Sequence, residues 1–93
     1  MREKDIEQKL KKKAKECGGI APKFVSPCQA GMPDRIVLIP GGKIGFVEVK
    51  RPGMKPRKLQ EAKHRLLRRL GFKVYVLDDP DQIGGILDDI QTT

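Results

Sequence analysis

Two apolar runs, Asp34–Ile39 and Ile44–Lys50, are separated only by Pro40-Gly41-Gly42-Lys43. β-Branched stretches on either side of a Gly-Gly turn read as a β-hairpin. A lone hairpin is marginal in water, so the remaining chain must extend and cover it. The flanking segments carry the patterns to do so. From Arg2 to Cys17, Ile6, Leu10, Ala14 and Cys17 recur at helical spacing, and Gly18-Gly19 ends the run. Ile20–Val25 reads as a short strand, and Ser26–Pro33, with two prolines and a glycine, as a loop. After a second loop at Arg51–Pro56, a helix is expected from Arg57 to Leu70. Its predicted core stripe is Leu59, Ala62, Leu66, Leu67 and Leu70, with Gly71 just past its end. Phe72–Leu77 follows as a strand parallel to a neighbour, with Phe72 and Tyr75 read as core. Asp79-Pro80 opens a last helix through Ile83, Ile86, Leu87 and Ile90. Gly84 and Gly85 each weaken that helix by about 1 kcal/mol relative to alanine. The order gives an α/β fold: an αβββαβ core, a small mixed sheet flanked by helices.

At 93 residues, the chain reads as a single domain over residues 1–93. Its 38% hydrophobic content is too high for a disordered chain. There is no secretory signal and no membrane-length apolar run. Cys17 and Cys28 form neither a disulfide framework nor a zinc pattern, which suits a reduced, cytoplasmic protein. The net charge of +8 is unevenly spread. Residues 50–73 hold ten bases and one acid, Glu61, whereas residues 78–93 hold five aspartates and no base. Positive charge concentrated this way points to a polyanion, nucleic acid above all, with a merely solvated basic face as the rival.

Alternation along a strand places Ile44, Phe46, Glu48 and Lys50 on one face of the second hairpin strand. A buried strand rarely carries Glu and Lys side by side without a reason. With the turn at Gly41-Gly42, Asp34 falls opposite Glu48–Lys50. Two carboxylates and a lysine thus meet at one end of the hairpin. Carboxylates that close repel unless a cation lies between them, and oxygen ligands suit Mg²⁺ or Mn²⁺. The competing reading is a surface Glu48–Lys50 ion pair with Asp34 capping a turn.

These residues resemble a family. Pro33-Asp34, thirteen residues, then Glu48-Val49-Lys50 is similar to the PD-(D/E)xK nuclease signature. Gly31-Met32-Pro33-Asp34-Arg35, Phe46–Lys50, Leu59-Gln60 and Gly71–Val76 resemble the virus-type replication-repair nuclease domain, VRR-NUC, of stand-alone phage or prophage type. The resemblance runs from about Glu3 to Leu77. It implies a restriction-endonuclease-like fold and a divalent-metal-dependent phosphodiesterase acting on DNA. Asp34 and Glu48 match the metal-binding carboxylates, with the Val49 main-chain carbonyl as a further ligand. Lys50 matches the catalytic lysine. Glu7, at the edge of the first helix's apolar stripe, matches an acidic residue many members add to the metal site. Gln60 matches a glutamine that helps place the lysine or a phosphate. Ordinary surface positions are the competing readings for Glu7 and Gln60. The chain lacks a recognisable Val-Arg-Arg triplet, which leaves the nucleic-acid contacts unassigned by resemblance.

Arg51, Lys55, Arg57 and Lys58 follow Lys50 directly and would hold the DNA backbone, giving affinity rather than sequence reading. Aromatics at 4% leave little for base stacking. His64, the lone histidine, reads as a surface residue. The expected activity is structure-selective DNA cleavage, with a four-way (Holliday) junction cut by a homodimer whose symmetry matches the junction. The apolar positions of the last helix were a hint of a dimer contact, against simple coverage of the domain's own sheet. No membrane and no small-molecule cofactor are expected. The rival functions are a general or restriction-type duplex nuclease and a non-catalytic DNA-binding module.

Overall fold

A computed structural model describes residues 1–93. Helix α1 spans Glu3–Glu16, strands β1 and β2 span Arg35–Ile39 and Lys43–Val49, and helix α2 spans Lys58–Arg69. Strand β3 spans Lys73–Leu77, and a 3-10 turn at Pro80–Gln82 leads into helix α3, Ile83–Gln91. The sheet order is β1-β2-β3. β1 and β2 form the antiparallel hairpin, with Arg35 opposite Val47 and Ile39 opposite Lys43. β3 returns parallel to β2 after the α2 crossover, pairing Val49 with Leu77. The result is the expected small α/β fold with a mixed sheet and flanking helices.

Strand alternation sorts the side chains onto two faces. Val37, Ile39, Val47, Val49 and Leu77 point toward α1 and α3. There they pack with Ile6, Leu10 and Ala14 of α1 and with Ile83, Ile86, Leu87 and Ile90 of α3. Phe46 and Val74 point the other way and are covered by Leu67 of α2. α3 presses so closely on β2 that a Cβ added at Gly45 would lie 2.5 Å from Ile90 Cδ1. α3 therefore covers the domain's own sheet, and its apolar residues are spent there rather than left for a partner. Asp79 starts this last segment by accepting a hydrogen bond from the Asp81 N–H at 2.9 Å, with Pro80 at the first turn position.

Three local expectations are corrected. Ile20–Val25 is not a regular strand but touches β1 through two isolated bridges, Ile20 to Leu38 and Lys23 to Arg35. Pro22 has no N–H, so the segment accepts from Ile36 N–H through Pro22 O but cannot return the bond. The inward face of α2 is Gln60, His64 and Leu67. Leu59 and Leu70 stay 57% and 63% exposed and Ala62 is exposed too, so of the expected stripe only Leu67 is buried. His64, expected at the surface, is buried, and Phe72, expected in the core, is 41% exposed. Phe72 instead sets its ring edge-on against Phe46. Tyr75 is half-buried against the core, and its hydroxyl donates to Asp89, tying β3 to α3.

Candidate active site

The site is built at the end of the hairpin remote from its turn. One step beyond the Arg35–Val47 pair, Asp34 stands opposite Glu48. Pro33 is fully buried ahead of it, and a proline there fixes the chain entering β1. Asp34 Oδ1 accepts from the Val49 N–H at 3.1 Å, so the carboxylate caps the ladder. Burial pushes the Asp34 carboxyl up to about 7, against the Val49 hydrogen bond that lowers it; Glu48, Glu7 and Glu3 raise it further.

Glu48 is only 3% exposed. Its Oε2 accepts from Gln60 Nε2 at 3.1 Å and lies 3.4 Å from Lys50 Nζ. Its other oxygen, Oε1, is buried with no hydrogen-bond partner. Burial raises the Glu48 carboxyl, and Lys50 partly opposes the rise. Gln60 has two jobs. Its Oε1 accepts from the Arg57 N–H at 2.9 Å, closing the start of α2, while its Nε2 holds Glu48. This dual use is why α2 turns Gln60 inward and leaves Leu59 outside.

α1 brings the other acids. Glu3, Glu7 and Asp34 hold carboxylate oxygens within 4.8 Å of one another. Glu7 also lies 3.5 Å from Arg35 Nε, a buried guanidinium whose Nη1 donates to Ala21 O at 3.0 Å. The sequence-derived residues thus fall into two touching sets: Glu7 with Asp34, and Glu48 with Lys50 and Gln60. Asp34 and Glu48 sit across the ladder and link the two. Glu3 was missed, although it precedes Glu7 by four residues and so shares its helix face, a signal available from spacing alone. His64 was also missed. It lies one turn beyond Gln60, and burial together with the Arg68 and Lys50 charges lowers its pKa, so it is held neutral. Arg51, Lys55, Arg57 and Lys58 are all exposed beside this end of the molecule.

All-oxygen donors suit a hard divalent cation. A buried carboxylate oxygen without a partner and a carboxyl pushed up by burial and neighbouring acids are both what such a cation would relieve. By this test the residues fit a metal.

Comparison with known proteins bears on the fold and the family. A family model described as the VRR-NUC domain matches residues 2–79. Putative nuclease p44 of Acyrthosiphon pisum secondary endosymbiont phage 1 is 51% identical over 81 residues, covering 87% of each chain. A solved structure described as a VRR_NUC domain superposes with a TM-score of 0.86 at 28% identity, covering 95% of this chain and 97% of the other. Fold and relatives together define a nuclease. The chain belongs to the VRR-NUC family.

Proposed function

We propose that residues 1–93 form one divalent-metal-dependent DNA endonuclease domain that hydrolyses phosphodiester bonds. One observation carries this reading. Glu48 Oε1 is buried and unpartnered, and Asp34, opposite Glu48 across the ladder, is clustered with Glu7 and Glu3, with only Lys50 and Arg35 as paired cations at this end. Asp34, Glu48, Glu7 and the Val49 main-chain carbonyl would hold Mg²⁺ or Mn²⁺. Bound there, the metal supplies Lewis acidity toward a phosphoryl oxygen and makes water more acidic. The chain's own residues do the rest. Lys50 presents its ammonium to the negative charge that grows on the phosphate. Glu48 and Gln60 fix the lysine's position, the first by ion pairing and the second by pinning Glu48 in place. Arg51, Lys55, Arg57 and Lys58 hold the DNA backbone beside the reacting phosphate.

The preferred substrate is branched DNA, a four-way junction, cut by a homodimer. Two identical sites related by a two-fold axis match the two symmetric cuts a junction needs. A phage or prophage protein of this kind would work in the cytoplasm of a bacterial host. The test is cleavage of duplex, flap, splayed-arm and four-way-junction DNA with Mg²⁺, Mn²⁺ or EDTA, alongside sedimentation at micromolar protein. Metal-dependent paired cuts in the junction by a dimer are expected. Equal cutting of plain duplex would favour the general-nuclease reading, and cleavage in EDTA would refute the metal.

A further inference from the structure

α1 carries more than the carboxylates. Taking 100° per residue, Glu3 and Glu7 lie beside the buried stripe of the helix, Lys11 lies about 40° beyond Glu7, and Lys15, Gln8 and Lys12 follow further round toward the exposed face. Along it runs an open groove of about 600 Å³, with Gln8, Lys11, Lys12 and Lys15 on one wall and Ile20 and Pro22 on the other. The three lysines are exposed, and none has a carboxylate within 4 Å, whereas Lys13 on the opposite flank is paired with Glu16. The far wall is fastened to the acid site. Arg35 donates to Ala21 O in that wall and lies at ion-pair distance from Glu7. The groove therefore starts where the carboxylates end.

Resting on the nuclease reading above, we propose that this groove seats the phosphodiester backbone of the DNA flanking the cleaved bond. The lysine wall takes phosphates, and the apolar wall takes deoxyriboses. From Glu7 to Lys15 the helix rises roughly 12 Å, at about 1.5 Å per residue. That length takes a short run of about two to three phosphates of one strand, one for each lysine. The exposed loop at 51–58 would hold DNA on the other side of the site, so the acids lie between two basic arms. An acidic peptide would suit the lysines but would gain nothing from leading into a cluster of carboxylates.

The experiment is DNA binding in EDTA across a salt series, so that binding is read without cleavage, with wild-type cleavage in Mg²⁺ run in parallel. The variants are Lys11→Ala/Lys12→Ala/Lys15→Ala and the matching triple arginine substitution, both checked for unchanged melting. The alanine variant should bind at least tenfold more weakly, and its log K against log salt slope should flatten by about two to three units. The arginine variant should keep the wild-type slope. If wild type cuts DNA but the alanine variant keeps the wild-type slope, this inference alone falls. If wild type neither binds nor cuts DNA, the nuclease reading falls and this one with it.

Discussion

At the scale of single residues, Asp34 holds a carboxyl that water would leave ionised above about pH 4. In the fold, burial and the neighbouring acids move it to about 7. Between those values the folded state keeps a proton that the unfolded chain releases, so stability falls as pH rises through this window. Without metal, the melting temperature of the wild type relative to Asp34→Asn should decline from pH 5 to pH 8, a comparison that cancels the opposite slope His64, with its lowered pKa, contributes below about pH 6.5. Mg²⁺ should raise melting more at pH 8 than at pH 5, because only the ionised carboxylate binds it. A wild-type melting temperature that climbs relative to Asp34→Asn over this range in EDTA would contradict the assignment. Gln60 gives a second test. Gln60→Ala removes a donor from buried Glu48 and a cap from α2. Denaturant unfolding should show a loss of about 1–3 kcal/mol. Lys50→Ala should retain metal binding by calorimetry and lose turnover; a variant that cuts normally would remove the lysine from the chemistry.

At the scale of elements, sequence periodicity fixed the hairpin and its site better than the helices. Asp34, Glu48 and Lys50 are brought together by strand alternation plus the short turn at Pro40–Gly42, both short-range facts. The facing of α2 does not. Leu59, Ala62, Leu66, Leu67 and Leu70 form the apolar stripe, and only Leu67 is buried, because the helix starts over a charged sheet end, where holding Glu48 matters more than burying Leu59. No one-dimensional pattern records that partner. Ile20–Val25 fails for the opposite reason: its apolar residues read as a strand while Pro22 removes one of the N–H groups a ladder needs. Two glycine positions make the packing testable. Gly84 and Gly85 have open space where a Cβ would go, and α3 is held by the burial of Ile83, Ile86, Leu87 and Ile90. Gly84→Ala and Gly85→Ala should each stabilise the protein by about 0.5–1 kcal/mol. At Gly19 a Cβ would lie 2.1 Å from Leu38 O, the acceptor for Ile20 N–H. Gly19→Ala should therefore cost about 1–3 kcal/mol, measured by the same unfolding curves.

At the scale of the whole molecule, charge divides by region. The five aspartates between 78 and 93 belong to the last segment, and the acid site lies at the end of the hairpin between α1 and the loop after Lys50. A polyanion approaching the site is repelled by the last segment and attracted by the 51–58 loop. Replacing Lys55, Arg57 and Lys58 together by alanine should flatten the salt dependence of DNA binding by about two to three units, with an unchanged slope placing the DNA elsewhere. The hairpin carboxylates Asp34 and Glu48 are expected to perform the cleavage. Single-turnover cleavage of junction DNA in Mg²⁺ by Asp34→Asn and Glu48→Gln proteins, with DNA binding measured on the same samples, tests this most directly. Both variants should bind DNA near the wild-type affinity and cut at under a few percent of the wild-type rate. A variant that binds normally and still cuts at close to the wild-type rate would show that the chemistry belongs to other residues.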